Sequence, residues 1–323
     1  MNHRTKSLNH LLNILTRYSD DKHLLRLSDI QDHMQSEYDE YVTKRNVNDL
    51  LKGLKDLGYE ISDFEDDGCY LMDRQFEKGE VLLLCHAIHA TSFIPSAQSD
   101  DLIKKLLDTL SIYQQDEYHD QVYMDNPVKT NNKLQPFYNL EIVSEAIAQK
   151  RKLSFIYLKY DHKKQLVPLI DEPYIVEPVY TICQDSGFYL VGKTDRYLDS
   201  FVHFRIERLK DLKMLEENIG SFIQKSDPYE YSRSHPFMFT GDPENVILRC
   251  KDSIISQIVD LFGPKLNILP DEKGYFRIRI KTTGSGALSL AQRYLGSIEI
   301  IEPEYLREEF MYYLSQALGR YIE

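Results

Sequence analysis

The chain has 323 residues, 42% of them hydrophobic, which is enough for two or three domains with their own cores and excludes a chain dominated by disorder. Its formal charge of −12 excludes a protein that coats nucleic acid over its whole surface, so any contact with phosphate must come from a local cluster of Lys and Arg. The longest apolar run is Val81 to Cys85 and the start, Met1 to Asn9, is polar, which argues against a membrane span or a signal peptide and predicts a cytoplasmic protein.

From Ser7 to Tyr18, Leu8, Leu11, Leu12, Ile14 and Leu15 recur at helical spacing, with Ser7 placed as a cap. Leu27, Ile30 and Met34 predict a second short helix capped near Ser28, followed by a polar turn from Gln35 to Glu40. The third segment, Thr43 to Leu57, opens on a capping Thr and places Val47, Leu50, Leu51, Leu54 and Leu57 on one stripe before stopping at Gly58. Its opposite face carries Lys44, Arg45, Asn48, Lys52 and Lys55. Ile61 and Phe64, an acidic turn at Glu65 to Gly68, and Cys69 to Met72 then read as a β-hairpin.

Three helices and a hairpin describe a winged helix-turn-helix over residues 1–75. In such a module the third helix presents its N-terminal residues to base edges in the major groove of duplex DNA. Thr43, Lys44, Arg45, Asn48 and Lys52 are therefore the candidate DNA contacts. An ordinary solvated helix face is the alternative for these cations, and the acidic hairpin tip would repel phosphate.

Residues 76–136 are predicted to be a helical connector, with apolar stripes at Val81 to Ile88 and Leu102 to Leu110, ending in a linker from Asn126 to Pro136. A short helix from Glu141 to Gln149 follows. The pattern then changes to period two, with Leu153, Phe155 and Tyr157 on one face of a strand and Ser154, Ile156 and Leu158 on the other. Further strands are predicted at Tyr174 to Thr181, Phe188 to Gly192 and Phe201 to Ile206, with a turn at Asp185, Ser186 and Gly187. These short strands describe a small β-barrel or sandwich over residues 137–225.

After a polar bridge from Ser226 to Gly241, strands and helices alternate over residues 240–323: Asn245 to Cys250, Ser253 to Phe262, Tyr275 to Ile280, Gly286 to Tyr294, Ile298 to Ile301 and Pro303 to Tyr321. This alternation predicts a ferredoxin-like α/β domain and completes a multidomain α+β chain.

The order of parts and several local motifs resemble the WYL-domain transcription regulators. Residues Ala146 to Tyr157, "AIAQKRKLSFIY", are similar to the opening helix and strand of the WYL domain. Pro178 and Phe188-Tyr189-Leu190 match the segment that names it, and Phe201 to Leu209, "FVHFRIERL", matches its segment with two arginines. The last domain, including "IEPEYLREEF", is similar to the C-terminal extension that follows in the family. Two positions depart from the pattern. Phe188 stands where the family usually has Trp, which keeps a ring but removes an N–H donor, and Asn48-Asp49 stands where Arg-Asp is common.

The resemblance implies a small Sm- or SH3-like barrel for the WYL domain and a ligand-responsive, DNA-binding transcription regulator. It further implies a repressor and homodimer acting on operator DNA, controlling phage-defence or DNA-damage genes. The effector would be a nucleic acid or nucleotide, bound by Tyr157, Tyr189, His203, Arg205 and Arg208. Arginine forks bind phosphate and aromatic rings stack on bases, which suits that set independently. The alternatives are that the tyrosines are core aromatics and that the arginines pair with Glu207 or other acids nearby.

Arg277, Arg279 and Lys281 alternate with Ile278 and Ile280, so three cations line one strand face, either toward a cleft or into solvent. Cys69, Cys85, Cys183 and Cys250 are scattered singly as free thiols, and His86 with His89 lacks a third metal ligand nearby. Gly284-Ser285-Gly286 before a helix lacks the lysine of a phosphate-binding loop and is expected to be a tight turn. No cofactor, metal site or catalytic constellation is predicted. The competing function is a nucleotide-processing enzyme, or a protein-interaction adaptor, recruited to DNA by the N-terminal module.

Overall fold

The computed structural model of the chain describes residues 3–63, 68–121, 129, 135–184, 187–220 and 227–322. It has two compact units, Met1–Asn132 and Lys133–Glu323, and combines helices with two antiparallel sheets, one of them a half-barrel.

The first unit begins with α1 (His3–Tyr18), α2 (Leu27–Tyr38) and α3 (Lys44–Asp56). Their apolar stripes meet in one core: Leu11, Ile14 and Leu15 from α1, Ile30 and Met34 from α2, and Val47, Leu50, Leu51 and Leu54 from α3. Thr43 caps α3 by accepting a hydrogen bond at Oγ1 from Asn46 N–H (3.3 Å), and Gly58, at φ +97°, ends that segment.

The other two expected caps are corrected. Ser7 lies inside α1, because the helix starts at His3; its hydroxyl donates to the His3 carbonyl at 3.1 Å and also bonds Glu40. Ser28 is already helical, and the carboxylate of Asp29 closes the start of α2 by accepting from Arg26 N–H (2.9 Å). A carboxylate one turn into a helix competes well for that backbone donor.

After α3 the chain pairs with itself through Ile61 and Leu71, with Ser62 N–H donating to Tyr70 O (3.0 Å) and Met72 N–H to Glu60 O (2.8 Å). Cys69 pairs in turn with Leu25, a third segment that the sequence pattern does not reveal. Phe64 and the acidic tip Glu65 to Asp67 lie outside the described residues.

Three further helices follow, α4 (Lys78–Ala90), α5 (Ser96–Leu107) and α6 (Ile112–Gln121), around Val81, Cys85, Ile103, Leu107, Leu110 and Tyr118. Arg74 ties this bundle to the end of α1: its guanidinium donates to the carbonyls of Thr16 (2.9 Å), Thr109 (3.2 Å) and Ser19. The buried Asp20 accepts from the Ser111 hydroxyl at the same junction. Most of the expected linker from Asn126 to Pro136 lies outside the described residues, and the division between the units falls within that stretch.

The second unit opens with α7 (Pro136–Gln149), then β1 (Arg151–Tyr160), β2 (Leu166–Pro168), β3 (Tyr174–Gln184), β4 (Gly187–Thr194) and β5 (Tyr197–Arg205). A single helical turn at Ile206–Arg208 leads into β6 (Leu209–Asn218). The sheet runs β2-β1-β3-β4-β5, with β6 also pairing β1. Alternation in β1 buries Leu153 and Phe155 under α7, with Val143, Ala146, Leu190 and Phe204. Strands β2 and β6 are additions to the sequence expectation. In β6, "LKDLKMLEEN" buries only Leu209 and Leu212, so its apolar signal is sparse. Asp185 and Ser186 of the expected turn lie outside the described residues.

The expected polar bridge from Ser226 to Gly241 is corrected in part, since it contains α8 (Pro228–Ser234). Asp227 caps α8 by accepting from Tyr229 N–H (3.0 Å), and Pro228 suits the first helical position. Tyr231 of α8, together with Met238, packs on Val179, Tyr180 and Val191, giving the sheet a second covered face.

The chain ends with β7 (Glu244–Lys251), α9 (Ile255–Phe262), β8 (Ile268–Pro270), β9 (Tyr275–Thr282), α10 (Gly284–Arg293), β10 (Ile298–Glu302) and α11 (Glu304–Ile322). The strand order is β10-β7-β9-β8, all antiparallel, with β8 too short and exposed to show in the sequence. Gly284-Ser285-Gly286 is the first turn of α10 rather than a turn before it, because Thr283 caps that helix through a bond from Gly286 N–H (3.2 Å). A side chain at Gly286 would come within 2.7 Å of Pro236 Cγ.

Candidate functional site

Two groups of polar side chains stand apart from the cores. The first is the outer face of α3. With about 100° of rotation per residue, Lys44, Arg45, Asn48, Lys52 and Lys55 share one side of the helix, away from the buried stripe of Val47, Leu50, Leu51 and Leu54. All five are exposed. Lys55 approaches Asp63 at 3.5 Å, whereas Lys44, Arg45 and Lys52 enter no ion pair among the described residues. Thr43 is occupied as the cap, so its hydroxyl fixes where the helix begins.

The second group surrounds the turn between β5 and β6. The antiparallel register sets Tyr189 opposite Arg205 and Val191 opposite His203. The Arg205 guanidinium carbon lies 5.9 Å from the Tyr189 ring centre, and Arg205 N–H donates to the Tyr157 hydroxyl at 3.1 Å. Tyr157 itself packs edge-on against Phe204 (5.1 Å) and Tyr174 (6.5 Å), and burial raises the pKa of its phenol. It belongs to the core and offers the turn its oxygen.

Glu207, only 2% exposed, sits beside the arginine: Arg205 Nε is 2.6 Å from Glu207 Oε1, an ion-pair contact outside hydrogen-bond alignment. Glu207 Oε2 has no hydrogen-bond partner among the described residues. A buried carboxylate needs a counterion, so Arg205 is partly committed to it. Arg208 is different. Its guanidinium carbon lies 5.7 Å over the Tyr160 ring, and it meets no carboxylate among the described residues.

The turn is held by Asn139, which the sequence reading missed. From α7 its amide donates to the carbonyls of both Ile206 and Leu209, each at 2.9 Å. A polar residue one turn before Val143 on an otherwise apolar helix face is the signal that could have found it.

His203 is not part of this group, although it shares a strand face with Arg205. Its Nδ1 lies 2.7 Å from Met238 O and its Nε2 2.7 Å from the Tyr231 hydroxyl. A carbonyl can only accept, so Nδ1 carries the proton and Tyr231 donates to Nε2. Burial pushes the His203 pKa down to about 4, which keeps the ring neutral. Both nitrogens serve to hold α8 and the Met238 segment on the sheet.

Among the described residues no group of three His, Cys, Asp or Glu side chains could hold a metal ion, and no helix is long and apolar enough to cross a membrane.

The β-domain is thus a half-barrel opened by α7, with a braced arginine turn before its last strand. Residues 138–214 match the family model of the WYL domain, so the chain carries a WYL domain there. Among curated proteins none matches the chain. Two solved structures align over nearly its full length at low similarity. Proteasome accessory factor B/C (PafBC) of Arthrobacter aurescens is 17% identical with a TM-score of 0.29, covering 98% of this chain and 49% of that one. A CRISPR Cas-related protein is 14% identical with a TM-score of 0.37, covering 99% of this chain and 86% of the other. The chain thus spans about half the length of the PafBC structure.

Proposed function

We propose that the chain is a WYL-type transcription regulator in which α1 to α3 and the paired segments around Ile61 and Leu71 form a winged helix-turn-helix. The helix α3 enters the major groove of operator DNA, with Lys44, Arg45, Asn48 and Lys52 directed at the duplex. The observation that carries this is the exposed α3 face, whose Lys44, Arg45 and Lys52 enter no ion pair among the described residues and lie opposite a fully packed stripe in a strongly acidic chain. Local cation clusters of this kind supply phosphate contacts, while Arg and Asn read base edges. The protein acts as a repressor and a homodimer, on half-sites about one helical turn apart.

The WYL domain senses an anionic effector, a nucleic acid or nucleotide, at Arg205 and Arg208, with Tyr189 offering a ring beside them. Glu207 competes with the effector for Arg205, and Arg208 is the freer of the two cations. The β10-β7-β9-β8 order of the last domain fits a ferredoxin-like extension. The chain performs no catalysis in this account.

Gel shifts with the DNA upstream of its own coding sequence test the proposal. Binding should be sequence-specific, weakened about tenfold or more by Arg45→Ala combined with Asn48→Ala, and retained in Arg205→Ala. Absence of binding to any duplex at low salt would reject it. For the effector site, a short single-stranded oligonucleotide should bind the wild type more tightly than Arg205→Ala combined with Arg208→Ala, and equal affinities would reject that assignment.

A further inference from the structure

We propose that the cleft between α8 and β9 is a separate binding site for a phosphorylated small molecule carrying at least two anionic groups, of the nucleoside-diphosphate class. It lies apart from the arginine turn and does not depend on the regulator reading. Three observations carry it.

The first is charge left uncompensated. Arg233 of α8, Lys265 after α9, and Arg279 and Lys281 of β9 all line the cleft, against two acids, Glu230 and Asp242. None of the four cations enters an ion pair among the described residues. This is not the habit of this sheet. On the same strand face Arg277 lies opposite Arg249, and both are neutralised: Asp271 approaches Arg277 Nε at 2.9 Å and Arg249 Nε at 2.8 Å, while Glu272 holds Arg249 at 2.9 Å. Farther along β9 the residues opposite Arg279 and Lys281 are Ile247 and Asn245, which offer no carboxylate. In a chain of charge −12, four cations against two acids, none of them in an ion pair among the described residues, mark a place where negative charge is supplied from outside.

The second is shape. The cleft encloses about 900 Å³, within the range of small-molecule sites and too small for a folded partner. The third is the floor. Ile280 turns to the opposite face of β9 from Arg279 and Lys281, so the apolar lining on offer is that of Phe262, buried, and Leu266, half-buried, against which a planar body can rest. Arg233 is also pre-positioned, since its guanidinium lies over Gly263, where a side chain would come within 3.4 Å of it. Guanidinium forks and lysines on a rim, with an apolar base, match phosphates attached to a ring system.

Isothermal titration of the full chain with inorganic pyrophosphate and with ADP, at low ionic strength, tests this. Both probes should bind the wild type, ADP more tightly because it also covers the apolar floor. Arg279→Gln combined with Lys281→Gln should weaken both about tenfold or more. Arg277→Gln should leave both within twofold of wild type. Arg279 and Lys281 are exposed, and Lys265→Gln with Arg233→Gln provides a second pair should the first not fold. Failure of either probe to bind, or equal affinities across all variants, overturns the site. Binding of a single-stranded oligonucleotide with the same variant dependence, and no binding of ADP, overturns the small-molecule class.

Discussion

One amide, that of Asn139, decides where Arg205 and Arg208 stand. It satisfies the carbonyls of Ile206, at the start of the turn, and Leu209, just after it, and among the described residues no other α7 side chain reaches them by a hydrogen bond. Asn139→Ala should therefore cost about 1–3 kcal/mol in urea unfolding, because two acceptors lose their donor inside the domain. The same change should weaken effector binding while leaving binding to operator DNA intact; an unchanged unfolding midpoint would contradict the bracing role.

His203 carries a pH signature of opposite sign to that of a histidine held in a salt bridge. Its folded pKa of about 4 lies below the ordinary 6.5, so the unfolded chain takes up a proton first as pH falls. The stability it contributes is fully present above pH 6.5 and is lost progressively from there down to about 4. His235, buried beside it, is displaced in the same direction by burial and adds to the slope. Unfolding midpoints measured across this window should fall toward acid, and His203→Asn should flatten the fall. A slope unchanged by that substitution would contradict the neutral, doubly bonded imidazole.

At the scale of elements, the strongly periodic ones were legible and the weakly patterned ones were not. Helix α3 was visible because Thr43, the leucine stripe and Gly58 all agree, and β1 was visible because Leu153, Phe155 and Tyr157 alternate with half-buried residues. The strands β2, β6 and β8 were not foreseen: two have three residues each, and β6 buries its leucines at irregular spacing because β1 pairs with it through register shifts. Helix α8 hid within a polar stretch, since only Tyr231 of its residues is buried.

The candidate site was legible as residue types, not as geometry. The sequence placed His203 with Arg205 by strand parity, yet Tyr231 of α8 and the carbonyl of Met238 beyond it take up both imidazole nitrogens. Tyr157 turned out to be a core ring, and neither the two carbonyls that Asn139 serves nor the burial of Glu207 follows from local pattern, because both depend on which helix crosses the sheet.

At the scale of the whole molecule, the proposed function sets a small cationic face against a large negative charge. The general surface repels a polyanion at low salt, so attraction depends on few side chains, and their loss should be felt individually. Each phosphate neutralised by one of them contributes about 0.9 to the slope of log affinity against log salt. The salt dependence of operator binding thus counts the working cations directly, whatever the operator sequence is.

That slope, measured by fluorescence anisotropy on labelled operator duplex for the wild type and for Lys44→Gln combined with Lys52→Gln, tests the central claim. The account predicts linear weakening with log salt and a slope shallower by about 1 for each lysine removed. A slope the two proteins share, or binding that salt does not weaken, would place the DNA somewhere other than on α3.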